Sequence, residues 1–289
     1  MDNGYYNAEN VQQQKPLYIV TGATDSMGSL IARQLAEQGK ALLLASRNVV
    51  KAQQYAGELR AATKNDDIQC LQLDLSSFDL VKDFVERLKG LQRPVGALIN
   101  NAGTLPRHSS MSPDGFEHTV QVNFLSTALL SMLVAPLMPE GGRIIMSTSI
   151  TRRLVSLPYE FPAVSHFSQI GAFAQSKLAL TLFSIYLSTT LKTSRIILNC
   201  VNPGVIKSSM VALNKWMDRV ADYLVKPLHS SEAGVLPTMR ALESSDTGFI
   251  FEGRTKQIKM SSVLTNRDVF IKLCNDTMRI LKKHLPEKE

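Results

Sequence analysis

Short apolar runs alternate with longer amphipathic stretches along most of the chain. The apolar runs predict strands, and stretches whose apolar residues recur every three or four positions predict helices. The predicted strands cover residues 17–20, 41–44, 68–73, 97–99, 143–146 and 195–201. The predicted helices cover residues 28–38, a polar stretch that ends near Thr63, and residues 80–88, 116–134, 170–191 and 269–281.

The alternation of strand and helix predicts a parallel sheet. Strands without polar alternation are buried on both faces, and right-handed crossovers place helices on both sides of such a sheet. We therefore predict a single-domain α/β fold, a Rossmann-type doubly wound parallel sheet, over residues 16–289, preceded by a disordered polar tail over residues 1–15. In this fold, ligands bind outside the carboxyl ends of the strands.

Composition and charge narrow the range of partners. Hydrophobic residues make up 44% of the 289 residues, and the net charge is +7. Because the lysines and arginines are dispersed, the excess charge indicates a solvated surface and no nucleic-acid partner, although part of it suits an anionic cofactor.

The cysteines and the amino-terminal residues indicate the cellular compartment. Three cysteines without CxxC spacing predict neither disulfides nor a metal site, and they favour a reducing compartment. Residues 1–15 lack the apolar core of a signal peptide, and the apolar runs fall short of the roughly 18 residues of a spanning helix. We predict a cytoplasmic protein without membrane insertion.

A glycine-containing turn follows the first strand. Such a turn lets the backbone approach a pyrophosphate, and the following helix presents free N–H groups to it. An ordinary strand-to-helix turn has the same composition, so the pattern alone leaves both interpretations open. The candidate cofactor residues here are Thr21, Gly22, Thr24, Ser26, Met27 and Gly28.

The next two strand ends indicate which nucleotide binds. Arg47 follows the second strand, where an acidic residue would favour NAD and an arginine accommodates the 2′-phosphate of NADP. Asp74 and Leu75 follow the third strand, and the carboxylate could meet the adenine amino group. We predict a preference for NADP(H) over NAD(H), with a surface arginine as the simpler alternative for Arg47.

The motif Asn100-Asn101-Ala102-Gly103 ends the fourth strand, and it is specific. The chain resembles the short-chain dehydrogenase/reductase family over about residues 16–250, and the segments 150–176 and 248–281 resemble its retinol-dehydrogenase-like branch. The residues that carry the resemblance, in order, are Thr21-Gly22 with Gly28, Asp74, Asn100-Asn101-Ala102-Gly103, Asn123, Ser149, Lys177 and Pro203-Gly204.

The resemblance implies further cofactor contacts. The family usually has glycine where Ser26 stands, and a side chain there is tolerated if the backbone φ is negative. The implied contacts to adenosine, ribose and nicotinamide come from Asn101, Ala102, Gly103, Lys177, Pro203, Gly204, Val205 and Ser208.

The resemblance also implies a catalytic set with one departure. The family reduces a carbonyl with a tyrosine acid, a neighbouring lysine, a serine and an asparagine. Lys177, Ser149 (with Ser147 as its rival) and Asn123 match the last three, whereas Phe173 occupies the tyrosine position. Phenylalanine cannot transfer a proton, and general acid–base groups typically contribute about 10²–10⁴ in rate.

Three functional interpretations follow from Phe173. The first is an active reductase with a substitute acid: Tyr159, His166, or Ser149 with a water on Lys177. Both Tyr159 and His166 are also consistent with ordinary surface residues. The second is a catalytically inactive NADP(H)-binding protein acting as a sensor or partner subunit. The third is an enzyme whose substrate, such as an activated double bond, needs little acid catalysis.

The segment at about residues 208–228 is the sequence feature that bears on the chemical class of the substrate. Its apolar spacing suits an amphipathic lid over an apolar cleft, or else core packing or a subunit interface. As a lid, it predicts a hydrophobic carbonyl or alcohol substrate. The resemblance further implies a homo-oligomer, a dimer or tetramer, formed through the helices at residues 116–134 and 170–191.

Overall fold

The computed structural model describes residues 15–24, 26–163, 166–204 and 231–286. Eight strands form one sheet in the order β3-β2-β1-β4-β5-β6-β7-β8, and every neighbouring pair is parallel except β7 with β8. The strands are β1 Leu17–Thr21, β2 Ala41–Ser46, β3 Ile68–Gln72, β4 Val95–Asn100, β5 Arg143–Ser147, β6 Ile197–Asn202, β7 Phe249–Glu252 and β8 Lys256–Lys259.

Helices cover both faces of this sheet. One hydrophobic core holds residues of α3, α4, α5 and α7, and the other holds residues of α1, α2 and α6. This confirms the predicted doubly wound fold. The helices are α1 Ser26–Glu37, α2 Val49–Thr63, α3 Phe78–Lys89, α4 His118–Leu137, α5 Gln169–Thr190, α6 Ser231–Glu243 and α7 Arg267–Leu281.

Strand β2 shows why the apolar runs are continuous. Leu43 belongs to the core under α3, α4 and α5, whereas its neighbours Leu42 and Leu44 belong to the core under α1 and α2. Because successive side chains of a strand point to opposite faces, both faces require apolar residues.

Helices α4 and α5 are more apolar than expected. By length and composition alone, His118–Leu137 and Gln169–Ser194 could each cross a membrane, which corrects the expectation that the chain has no apolar stretch long enough. Most of each helix is buried inside the fold, and α7 adds Leu273 and Leu281 to the same core. The structure accounts for both as core helices; oligomerisation through them and the cytoplasmic location stay predictions.

Strands β7 and β8 and helix α6 were not predicted. Strand β8 has only four residues and is polar at both ends, so neither apolar content nor alternation marks it. The buried side chain of Asn199 on β6 sets the start of β7. Its Nδ2 donates to the carbonyl oxygen of Asp246 at 2.7 Å, and its Oδ1 accepts from the backbone N–H of Phe249 at 3.0 Å.

We expect Asn199→Ala to lower the free energy of unfolding by about 1–3 kcal/mol, because it removes both hydrogen bonds that the buried Asn199 side chain makes to the backbone of Asp246 and Phe249. Asp246→Ala is the matched control, since Asp246 is exposed and its backbone carbonyl remains in place. Urea unfolding of both full-length variants measures the difference. Equal stability of the two variants would contradict this role of Asn199.

Candidate active site

A cleft of about 330 Å³ opens at the carboxyl ends of the central strands. Strands β2 and β3 lie on one side of β1, and β4 and the later strands lie on the other. The strand order therefore reverses at β1, and doubly wound folds bind their ligands at such a point. Seven of the predicted cofactor residues line the cleft: Gly22, Thr24, Arg47, Asp74, Leu75, Ala102 and Gly103. The other lining residues are Ala45, Ser46, Asn48, Lys51, Leu73, Thr104, His118 and Val122.

Two glycines form the floor of the cleft by close backbone packing. Gly22 has a positive φ of 64°, and a Cβ on it would lie 3.0 Å from Cα of Ala102. A Cβ on Gly28 would lie 2.1 Å from the carbonyl oxygen of Gly22. Ser26 begins helix α1, where the backbone has the negative φ of a helix.

Thr21 and Asn101 join the ends of β1 and β4 beneath the cleft. The Thr21 hydroxyl accepts hydrogen bonds from the backbone N–H groups of Asn101 and Ala102, at 3.0 and 2.9 Å. The amide of Asn101 donates to the carbonyl of Thr21 at 3.1 Å. Both side chains therefore connect the two strand ends beneath the cleft and do not line it. Met27 is half-buried and packs against the hydrophobic core.

Two cationic side chains lie at the rim of the cleft, just after β2. Arg47 is exposed there, and Lys51 lies one helical turn further along in α2. Asn48 fixes this turn, because its side chain accepts the backbone N–H of Lys51 at 3.0 Å and caps the helix. Lys51 was missed in the sequence; its place three residues after a capping asparagine was the available signal.

Lys177 lies in the interior at the inner end of this region. Its ammonium donates to the carbonyl oxygen of Ser147 at 2.9 Å, and burial lowers its pKa to about 8. The ring centroid of Phe173, one turn earlier on the same face of α5, is 5.7 Å from the ammonium. Phe173 thus packs beside Lys177, as their spacing predicts.

Asn123 ties the fourth strand's loop to α5. It lies in a π-helical turn, Gln121–Leu125, inside α4, a local widening that often marks functional sites. Its amide donates to the Thr104 carbonyl at 3.0 Å and to the Ser176 hydroxyl at 3.1 Å, and its Oδ1 accepts the Thr104 N–H at 2.7 Å. Asn123 therefore fixes the backbone next to Gly103 against the helix that carries Lys177.

Ser149 begins the turn that follows β5. Its hydroxyl accepts the backbone N–H of Thr151 at 3.3 Å and is 3.0 Å from the Thr151 hydroxyl. It is half-buried, and it caps the 3₁₀ turn Ile150–Leu154. Ser147 is buried, whereas Ser149 is only half-buried, so Ser149 is the better candidate for contact with a substrate.

The two candidate substitute acids lie on the surface. Tyr159 is 62% exposed, and the ammonium of Lys272 from α7 lies 4.9 Å from its ring centroid. His166 is also exposed. Neither is buried beside Lys177, so their ordinary surface interpretation is the better supported one.

The predicted nicotinamide-side residues are described only in part. Pro203 and Gly204 follow β6, and the N–H of Gly204, whose φ is 81°, donates to Oδ1 of Asn202 at 3.2 Å. Val205, Ser208 and the predicted lid at 208–228 lie outside the described residues.

A second cleft, of about 580 Å³, lies between the turn after β5 and the segment before α7. Its walls are mixed: Leu157, Leu178, Leu182 and Val263 are apolar, and Arg152, Arg153, Ser262 and Asn266 are polar. Ser149, Phe173 and Lys177 are not part of its lining. It is therefore distinct from the cleft that holds the predicted cofactor residues.

Comparison with known proteins identifies the family. The profile of the short chain dehydrogenase family matches residues 17–218. The chain belongs to this family. In this short-chain dehydrogenase, the roles of the cleft, the glycine turn and Lys177 in cofactor binding stay predictions.

The relatives among known dehydrogenases support the retinol-dehydrogenase-like branch. Human polyprenol dehydrogenase is 33% identical over 216 residues, which are 72% of this chain and 66% of that protein. Human retinol dehydrogenase 12 is 31% identical over 205 residues, 70% of this chain and 65% of that protein. The chain thus matches just under two thirds of the length of each.

A solved structure agrees on the fold. The crystal structure of a short-chain dehydrogenase from Burkholderia cenocepacia in complex with NADP has a TM-score of 0.68 and 21% sequence identity. The match covers 82% of this chain and 95% of that one.

Gly28 and Gly57 have different surroundings, so replacing each by alanine should change stability in opposite directions. We expect Gly28→Ala to lower the free energy of unfolding by about 1–3 kcal/mol or more, because the new methyl overlaps the Gly22 carbonyl. In α2, Gly57 has no neighbouring atom within 4 Å of an added Cβ, so Gly57→Ala should raise stability by about 0.5–1 kcal/mol. Urea denaturation measures both, and a shift of the same sign in both would contradict the packing argument.

Proposed function

We propose that this protein is an NADP(H)-dependent oxidoreductase that acts on a hydrophobic alcohol or carbonyl compound. The observation that carries the proposal is the position of Lys177 next to the inner wall of the cleft. Gly103 lines the cleft, and a Cβ on it would lie 3.5 Å from the Lys177 ammonium. A dinucleotide extended from Arg47 along the cleft would therefore end beside Lys177.

The cleft suits a dinucleotide phosphate. The glycine floor admits a close backbone approach, and the amino terminus of α1 offers N–H groups to a pyrophosphate. Arg47 and Lys51 would hold the 2′-phosphate, and Asp74 would accept from the adenine. The structural neighbour from Burkholderia cenocepacia binds NADP, which supports the choice of nucleotide.

The relatives support the substrate class. Polyprenol and retinol are long, apolar alcohols, and the dehydrogenases named for them are 33% and 31% identical to this chain. A bound nicotinamide would supply the hydride chemistry. Ser149 would donate a hydrogen bond to the substrate oxygen, and Lys177 would bond the nicotinamide ribose.

Proton transfer is the step that Phe173 impairs. With a pKa of about 8, Lys177 holds its proton at neutral pH, and it can supply a proton to the substrate oxygen through a water beside Ser149. This path is longer than direct transfer from a tyrosine, so we expect slow turnover. The apolar ring of Phe173 beside Lys177 also favours a second candidate, a protein that binds NADP(H) without turnover.

Substitution of Arg47 at the rim of the cleft tests the preference for NADPH over NADH. We expect Arg47→Ala to weaken NADPH binding at least tenfold and NADH binding much less, because only NADPH carries the 2′-phosphate. Arg33→Ala is the control, since Arg33 is exposed on α1, pairs with Glu37 and does not line the cleft. Calorimetric titration measures both affinities, and equal losses for NADPH and NADH would contradict this role of Arg47.

The proton path is tested by restoring a hydroxyl. We expect Phe173→Tyr to raise NADPH-dependent reduction of hydrophobic carbonyl compounds by about 10²–10⁴. Phe173→Leu is the control, because it changes the side chain without adding an acid. No gain in Phe173→Tyr, with NADPH still bound, would show that the tyrosine position is not what limits turnover.

A further inference from the structure

A buried ion pair connects two parts of the candidate active site that are distant in sequence. Arg152 lies in the turn after Ser149, and its side chain is only 1% exposed. Its Nη1 donates to the Ser149 carbonyl at 2.7 Å, and its Nη2 donates to Glu252 at the end of β7 at 2.6 Å. One guanidinium thus joins the turn that carries Ser149 to the end of a strand 100 residues later.

The same carboxylate continues to the end of β6. Oε1 of Glu252 accepts from the Asn202 amide at 3.3 Å, and Oδ1 of Asn202 accepts the N–H of Gly204 at 3.2 Å. Burial raises the pKa of Glu252, but the hydrogen bonds from Arg152 and Asn202 and the nearby guanidinium groups outweigh it and leave the pKa below its usual value. The connection runs from the Ser149 carbonyl to the Gly204 N–H through three side chains.

Stability alone does not account for this arrangement. A buried ion pair pays a large desolvation cost, and well-packed apolar residues often stabilise a fold as well or better. The Nε of Arg152 is in addition buried without a hydrogen-bond partner. What an apolar pair could not provide is the directional link between the two backbone segments.

We propose that Arg152 and Glu252 are positioning residues that fix the Ser149 turn relative to the Pro203–Gly204 turn. Ser149 is the candidate contact to the substrate oxygen, and Gly204 is the candidate wall of the nicotinamide pocket. The pair therefore sets the distance between substrate and nicotinamide, and it acts on the nicotinamide half of the cofactor only. The inference rests on the proposed binding of NADP(H).

The test compares NADPH with 2′-phospho-ADP-ribose, which lacks the nicotinamide. We expect Arg152→Met to weaken NADPH binding at least tenfold while 2′-phospho-ADP-ribose binding stays within about twofold, both measured by calorimetry. Because loss of one buried charge can prevent folding, the double variant Arg152→Met/Glu252→Leu removes both charges and is measured in parallel. The double variant should show the same selective loss of NADPH affinity.

Arg93→Met is the matched control. Arg93 also forms a partly buried ion pair, with Asp67, and also has a buried Nε without a partner, but it lies outside the cleft. It should lower stability without changing the ratio of the two affinities. An unchanged ratio in a folded Arg152 or double variant would overturn this inference while leaving the proposed function intact. Failure of the wild type to bind either nucleotide would overturn both.

Discussion

The contact between Gly28 and the carbonyl of Gly22 is the constraint on which the site depends. No Cβ fits between the first turn of α1 and the end of β1, so the helix lies directly against the backbone of the turn. The Thr21 hydroxyl and the Asn101 amide then join this turn to the end of β4. The result is a floor made of backbone, which is what a pyrophosphate requires.

The inner part of the site is built by convergence of three elements on Lys177. The end of β5 supplies the carbonyl that accepts a hydrogen bond from its ammonium, and α5 places it one turn after Phe173. The π-helical turn of α4 positions Asn123 to hold Thr104 and Ser176. This packing keeps the lysine buried, and burial lowers its pKa to about 8, whether or not the protein turns over a substrate.

Much of this could be predicted because the central strands are short, continuous and apolar. Strands β1 to β6 follow from such runs, and Gly22, Arg47 and Asp74 follow from the positions just after them. The roles of Asn123, Ser149 and Lys177 were implied only by the family resemblance. The π-helical turn has no apolar signature, and β8 is too short and polar to be distinguished from a loop. The Arg152–Glu252 pair joins residues 100 positions apart, and no local pattern in one sequence indicates such a contact.

We infer that the cleft binds NADP(H) with the nicotinamide beside Lys177. Calorimetric titration of the wild-type protein with NADPH and with NADH, followed by NADPH oxidation against hydrophobic carbonyl compounds, tests it most directly. We expect NADPH to bind more tightly than NADH and its oxidation to be slow but measurable. Binding without oxidation would favour the non-catalytic candidate, and binding of neither nucleotide would contradict the account.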